Sequence, residues 1–146
     1  MKLTPHFTLE ELYASEFADR NNIDNMPSDA TVLNNLKWLA DNLEGVRNVL
    51  NYPIHVNSAY RCLSVNTGLG SKPTSSHVQG LAADIVCPNF GSPRAVVDAI
   101  IGSNIQYDQV ILEYDRWCHI GFAPKGQTQR LQKLIIDKSG TRKYGN

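Results

Sequence analysis

One stretch of the chain, residues 29–50, keeps an apolar stripe at helical spacing along its whole length. Val32, Leu33, Leu36, Leu39, Ala40, Leu43, Val46 and Leu50 repeat, with Asn35, Lys37, Asp41 and Glu44 between them. Residues three, four and seven apart share one face of a helix, so this segment is the one long amphipathic helix. A shorter helix is predicted over 92–102. There Ser92 is an N-cap candidate, Pro93 takes the first helical position and Gly102 supplies the stop, bracketing Ala95, Val96, Val97, Ala99, Ile100 and Ile101. Thr8 and Glu11 stand at capping-box spacing and open a small helix over residues 9 to about 15. Residues 16–28 read as a loop ending at Pro27.

The remaining regular structure is predicted as short runs of β-type residues at 54–59, 81–87, 109–113, 117–123, 131–137 and 141–144, the last two around a Ser139-Gly140 turn. Helices and strands do not alternate strictly. The expected class is therefore α+β, a small and mainly antiparallel sheet with flanking helices. With 146 residues, 42% of them hydrophobic and 19% charged, the chain can bury a core as a single domain over 1–146. The core is expected over about 6–123, followed by a C-terminal hairpin at about 131–144. The segment 61–77, with Gly68, Gly70, Pro73 and four serines, reads as a long irregular loop, and such loops in compact domains are usually functional.

Fourteen Lys and Arg balance fourteen Asp and Glu. That leaves no bulk positive field for nucleic acid or for an anionic membrane surface. Neither nucleic-acid binding nor stable membrane association is expected, and the chain is expected to act as a monomer. Cys62, Cys87 and Cys118 form no CxxC pair and are odd in number, which disfavours both a disulfide framework and a cysteine-rich zinc site. Glu10, Glu11, Glu16 and Asp19 interrupt the stretch where a signal peptide needs apolar residues, so synthesis without a signal peptide, in the cytoplasm, is expected.

Three apolar runs each carry one titratable group. Asp84 lies inside Leu81-Ala82-Ala83-Asp84-Ile85-Val86-Cys87, Glu113 ends Val110-Ile111-Leu112, and His119 sits in Trp117-Cys118-His119-Ile120-Gly121-Phe122. A charge in a buried strand is costly unless it is paired or bound to a metal, so Asp84 needs a cation. Taken singly, each group could be an ordinary salt-bridged acid or hydrogen-bonded core histidine. Together they point to convergence on one site. His77 precedes Asp84 by seven residues, too far along a straight helix or strand to share an ion. Gly80 lies between them and allows the chain to fold back. Two histidines and one aspartate would leave the fourth position of a zinc tetrahedron open, the arrangement of catalytic sites. Alternation along a strand puts Cys87 and Cys118 on the opposite side from Asp84 and His119, which disfavours a cysteine ligand or nucleophile. His6 and His55 read as structural or exposed.

The series Ser58-Ala59-Tyr60-Arg61, Asn66, Ser75-Ser76-His77-Val78-Gln79-Gly80-Leu81-Ala82-Ala83-Asp84-Ile85 and Trp117-Cys118-His119-Ile120 resembles the motifs of the zinc D-alanyl-D-alanine carboxypeptidase-like peptidases. That family includes phage endolysins that cut L-alanyl-D-glutamate bonds in peptidoglycan. The opening His6-Phe7-Thr8-Leu9-Glu10-Glu11-Leu12 is similar to its short phage and prophage members, so the likeness spans about residues 6–123. The resemblance implies a hedgehog/DD-peptidase-like fold, one zinc ion on His77, Asp84 and His119, and Arg61 as a clamp on a substrate carboxylate or carbonyl. An arginine fork suits that role, the alternative for Arg61 being an exposed loop charge. It implies Ser75 as a hydrogen-bonding support of the site and a peptidoglycan peptide as substrate. Ala59 departs from the glycine often found before Tyr-Arg, and the glycine pair common before the metal histidine stands here as Gly68-Leu69-Gly70.

The resemblance implies the activity of a zinc metallopeptidase, an endopeptidase or D,D-carboxypeptidase, in the role of a phage or prophage lysis enzyme acting on the wall after release. A metal-containing but inactive module that binds wall or peptide ligands is the alternative. For the general base, Tyr114-Asp115-Arg116 interrupts two apolar runs and suits a tight hairpin that brings Glu113 back beside His119. Glu113 is therefore the expected base, with Asp115, placed at the tip, as its alternative.

Overall fold

The computed structural model describes residues 1–145. In chain order the elements are β1 (Lys2–Thr4), β2 (Phe7–Thr8), α1 (Leu9–Tyr13), α2 (Glu16–Arg20), α3 (Ala30–Leu50), β3 (His55–Ser58), α4 (Leu63–Gly68), β4 (Ala82–Val86), α5 (Pro93–Ile101), β5 (Gln109–Glu113), β6 (Trp117–Gly121), β7 (Gln132–Asp137) and β8 (Gly140–Lys143). The class is α+β. Local chemistry sets the helix starts: Asp29 accepts from Val32 N and Ser92 from Ala95 N, while Thr8 and Glu11 cap each other reciprocally.

Two segments read as loops contain helix. Residues 16–28 begin with α2, started by the Ser15 side chain accepting from Ala18 N, and 61–77 contain α4. Five or six residues are too few to display an apolar period, so only tertiary contact sustains them. The Phe17 ring lies over Gly68, where a Cβ would come within about 2.2 Å of it, so α2 and α4 hold each other.

The main sheet has the order β3-β4-β6-β5-β7-β8. All its pairs are antiparallel except β5 with β7. That exception follows from chain direction. β6 ends with Gly121 opposite Gln109, at the end where β5 starts, and the chain then crosses this end to begin β7 at Gln132, also opposite Gln109. Arg130 forks onto Asp108 there at 2.8–3.2 Å and fixes the crossing.

Alternation divides the sheet into two faces. Val56, Ala83, Ile85, Val110, Leu112, Cys118 and Ile120 join one core cluster with Leu36, Leu39, Leu43 and Leu50 of α3 and Val96, Val97 and Ile100 of α5. The opposite face carries Asp84, His119, Ile111 and Glu113.

Candidate active site

Strand register lays the site out as a row. Ser58 is the partner of Asp84, Asp84 of His119, and His119 of Ile111. Cross-strand partners project to the same side, so the Asp84 carboxylate and the His119 imidazole meet over the face turned away from α3 and α5. His119 Nδ1 lies 3.0 Å from Asp84 Oδ1. His77 reaches the same oxygen from the loop before β4, with Nε2 at 3.3 Å. Gly80 makes that approach possible: its φ of +77° turns the chain in the left-handed region, and a Cβ there would meet Leu36 and Val32 of α3 at 3.1–3.3 Å. The three side chains are only 4–6% exposed, and one ligand atom from each lies within 4.8 Å of the others.

The proton arrangement reveals what this cluster can hold. His77 Nδ1 is 2.7 Å from the carbonyl oxygen of Ala59, which can only accept, so Nδ1 carries the proton. Burial pushes the His77 imidazole down, favouring the neutral ring against the pull of Asp84. Its Nε2 lone pair therefore faces a carboxylate oxygen. At Asp84, burial opposes the charge, but the imidazole contacts, His119 first, outweigh it and hold the carboxyl well below the usual range. A cation between them would relieve the repulsion of a lone pair and an anion inside a buried pocket. Two imidazole nitrogens and one carboxylate oxygen are a donor set that suits zinc, and the Ala59 carbonyl orients the His77 ring as outer partners of zinc ligands do.

Arg61 engages the protein with each of its nitrogens. Nε donates to Ser58 Oγ at 3.0 Å, one terminal nitrogen to Ser71 Oγ at 3.3 Å, and the other to Asp84 Oδ2 at 3.1 Å. The fork neutralises the carboxylate oxygen not shared by the histidines, and two of its five N–H groups remain for a ligand in the adjoining cavity. Ser75 Oγ accepts from His77 N at 3.2 Å, bracing the turn that delivers the imidazole.

The turn 114–116 joins β5 to β6 with Glu113 directly opposite Trp117, and Tyr114 and Asp115 adopt φ of 56° and 53°. Glu113 Oε1 thereby comes to 3.8 Å from His119 Nδ1. Burial raises its carboxyl above the ordinary value, helped by the Asp84 charge and opposed by His119 and Arg61. Asp115 is exposed at the tip, 3.3 Å from Arg94. Cys118 faces the core, where burial pushes its thiol up, and Cys87 is buried there too. His6 bonds Glu44 of α3 at 2.7 Å, and His55 lies exposed on β3.

Some supports carried no sequence signal. The Asn25 side chain donates to the carbonyls of Tyr13 and Tyr60 and accepts from Cys62 N, pinning the bend that holds Arg61. Its partners lie 12 to 37 residues away, beyond any local pattern. Ser58 and Ser71 became identifiable only when strand and loop met at Arg61. No curated protein matches the chain. The family model described as peptidase M15 matches residues 5–121, which include every residue of the site.

Proposed function

The chain belongs to the peptidase M15 family, a family of metallopeptidases, and from this we propose that it is a zinc-dependent peptidase hydrolysing an amide bond of peptidoglycan stem peptides or cross-links. A phage or prophage lysis enzyme that meets the wall after release is the role the motif resemblance supports. The observation carrying the reading is the neutral His77 lone pair aimed at the Asp84 carboxylate beside His119.

His77 Nε2, Asp84 Oδ1 and His119 Nδ1 would hold the metal. Zinc, when bound, supplies a Lewis acid for the scissile carbonyl and acidifies a water. Glu113 accepts the proton of the attacking water and returns it to the leaving nitrogen as the C–N bond breaks, so its carboxylate is regenerated. Arg61, fixed by Ser58, Ser71 and Asp84, presents its two remaining N–H groups to a substrate carbonyl or carboxylate. Trp117 and Tyr114 wall the cavity beside Glu113.

Metal analysis together with mass analysis of fragments released from purified peptidoglycan tests the reading. One zinc per chain is expected, with fragment release lost on chelation and restored by zinc. Undiminished release by protein verified as zinc-free would overturn it. Zinc retention with no release from any wall preparation would leave the inactive binding module instead.

A further inference from the structure

The family match ends at Gly121, but the sheet continues past it. In β7, Leu134 is the partner of Ile111 and Ile136 the partner of Glu113. Since Ile111 also faces His119, the C-terminal hairpin prolongs the row Ser58, Asp84, His119, Ile111 with Leu134 on the same face. Its partly buried Leu134 and Ile136 form one wall of a cavity of about 600 Å³ that begins at His119. The facing wall is the loop bearing Ser71, Lys72, Thr74, Ser75 and Ser76, and Gly121 leaves room between them. Hydroxyls thus oppose branched aliphatic side chains.

A second cavity, of about 490 Å³, adjoins the site on the side of β3. It is bounded by Phe17, Arg20, His55 and Asn57, and it shares Arg61, Asp84 and Trp117 with the site. The ligand cluster, on β4 and β6, therefore lies between two cavities arranged along the strand order. From β3 to β7 there are four strand spacings, about 19 Å, which accommodates roughly six residues of extended peptide. A path that ended one residue beyond the reacting carbonyl would suit removal of a single C-terminal residue. Here a cavity continues on each side of the ligand cluster.

We propose that the substrate peptide crosses the sheet and continues on both sides of the scissile bond, and that the C-terminal hairpin supplies one subsite through Leu134 and Ile136. The enzyme then cuts internal bonds, and the subsite takes small apolar side chains against the aliphatic wall while the facing hydroxyls bond the peptide backbone. This rests on the peptidase reading, whose attacking water it leaves unchanged.

The test uses the full zinc-loaded chain with soluble cross-linked stem peptides, each with a free or amidated C-terminus. Internal cleavage is expected, with amidation changing the rate less than about threefold. Leu134→Gln and Ile136→Gln should each raise KM about tenfold, with kcat and zinc content near wild type. Thr74→Val, on the exposed opposite loop, removes one of the facing hydroxyls independently of sheet packing and should raise KM several-fold. Release of only the C-terminal residue, blocked by amidation, would overturn the proposal, as would wild-type KM in folded variants. If the wild type cleaves none of these peptides, fragment release from purified peptidoglycan judges the peptidase reading, and calorimetric binding of the same peptides judges the subsite. Weaker binding by the three variants supports it; equal binding, or no wild-type binding, overturns it.

Discussion

At the residue scale, Glu113 and Asp115 are two residues apart, yet the hairpin gives them different surroundings. Glu113 is half-buried and faces His119, whereas Asp115 is exposed and pairs with Arg94. Glu113→Gln is expected to keep zinc and fold while losing about a hundredfold or more in kcat, the scale of a removed acid-base group. Asp115→Asn should change the rate less than about threefold. Steady-state kinetics with metal content measured on the same samples checks both, and the reverse pattern would exchange their roles. Arg61 tests geometry rather than charge. A lysine at 61 keeps the cation but cannot span Ser58, Ser71 and Asp84 together. Arg61→Lys should retain zinc and still lose about tenfold or more in kcat/KM; unchanged kinetics would make the fork dispensable.

At the element scale, the His77-to-Asp84 connection depends on how β4 approaches α3. Gly80→Ala places a Cβ on left-handed backbone, costing about 1–2 kcal/mol, and presses it against Leu36 and Val32. Urea unfolding should show a loss of about 2–4 kcal/mol, together with weaker zinc retention because the turn carrying His77 shifts. An unperturbed midpoint would mean that α3 yields at no cost. The legibility of the elements follows the same physics. The stretch Ala30–Leu50 shows six turns of apolar spacing and a capping aspartate, so its limits were readable to within a residue. The five-residue α2 and six-residue α4 bury too little by themselves to leave a pattern, and their packing at Phe17 and Gly68 lies 51 positions apart in the chain.

At the scale of the whole molecule, one acid–arginine pair, Asp108 with Arg130, fixes the entry to the C-terminal hairpin, and a second, Asp137 with Arg142, ties its two strands together. Hydrogen bonds from Arg130 hold the Asp108 carboxyl below its ordinary value against the opposing effect of burial, and hydrogen bonds from Arg142 bring Asp137 down to about 2. A carboxyl whose folded value is depressed stabilises the fold fully above its unfolded value, near 3.9, and loses that contribution as pH falls through the folded value. The hairpin should therefore loosen between about pH 4 and 2, before the main core. Hydrogen exchange of β7 and β8 amides, corrected for the intrinsic pH dependence of exchange, should show protection falling in this window while β4 and β6 stay protected. Equal loss in all four strands would contradict it. Chelation should act elsewhere: zinc removal is expected to lower the melting temperature by several degrees without unfolding the chain, since the core under the opposite face does not involve the ligands. Calorimetry with and without chelator measures it, and unfolding on chelation would show that the metal holds the fold itself.

The sequence by itself determined the α+β class, the long helix, most strand positions and the presence of isolated titratable groups in apolar runs. Periodicity, caps and the cost of burying a charge act over a few residues and are visible in a linear string. Only the tertiary structure decided the parallel joining of β7 to β5, the proton on His77 Nδ1, the three-point anchoring of Arg61 and the groove beside His119. Each depends on groups brought together from distant parts of the chain: Ala59 with His77, Ser58 and Ser71 with Arg61, Leu134 with Ile111. Closure of the fold sets those meetings, and no local pattern in the sequence encodes them.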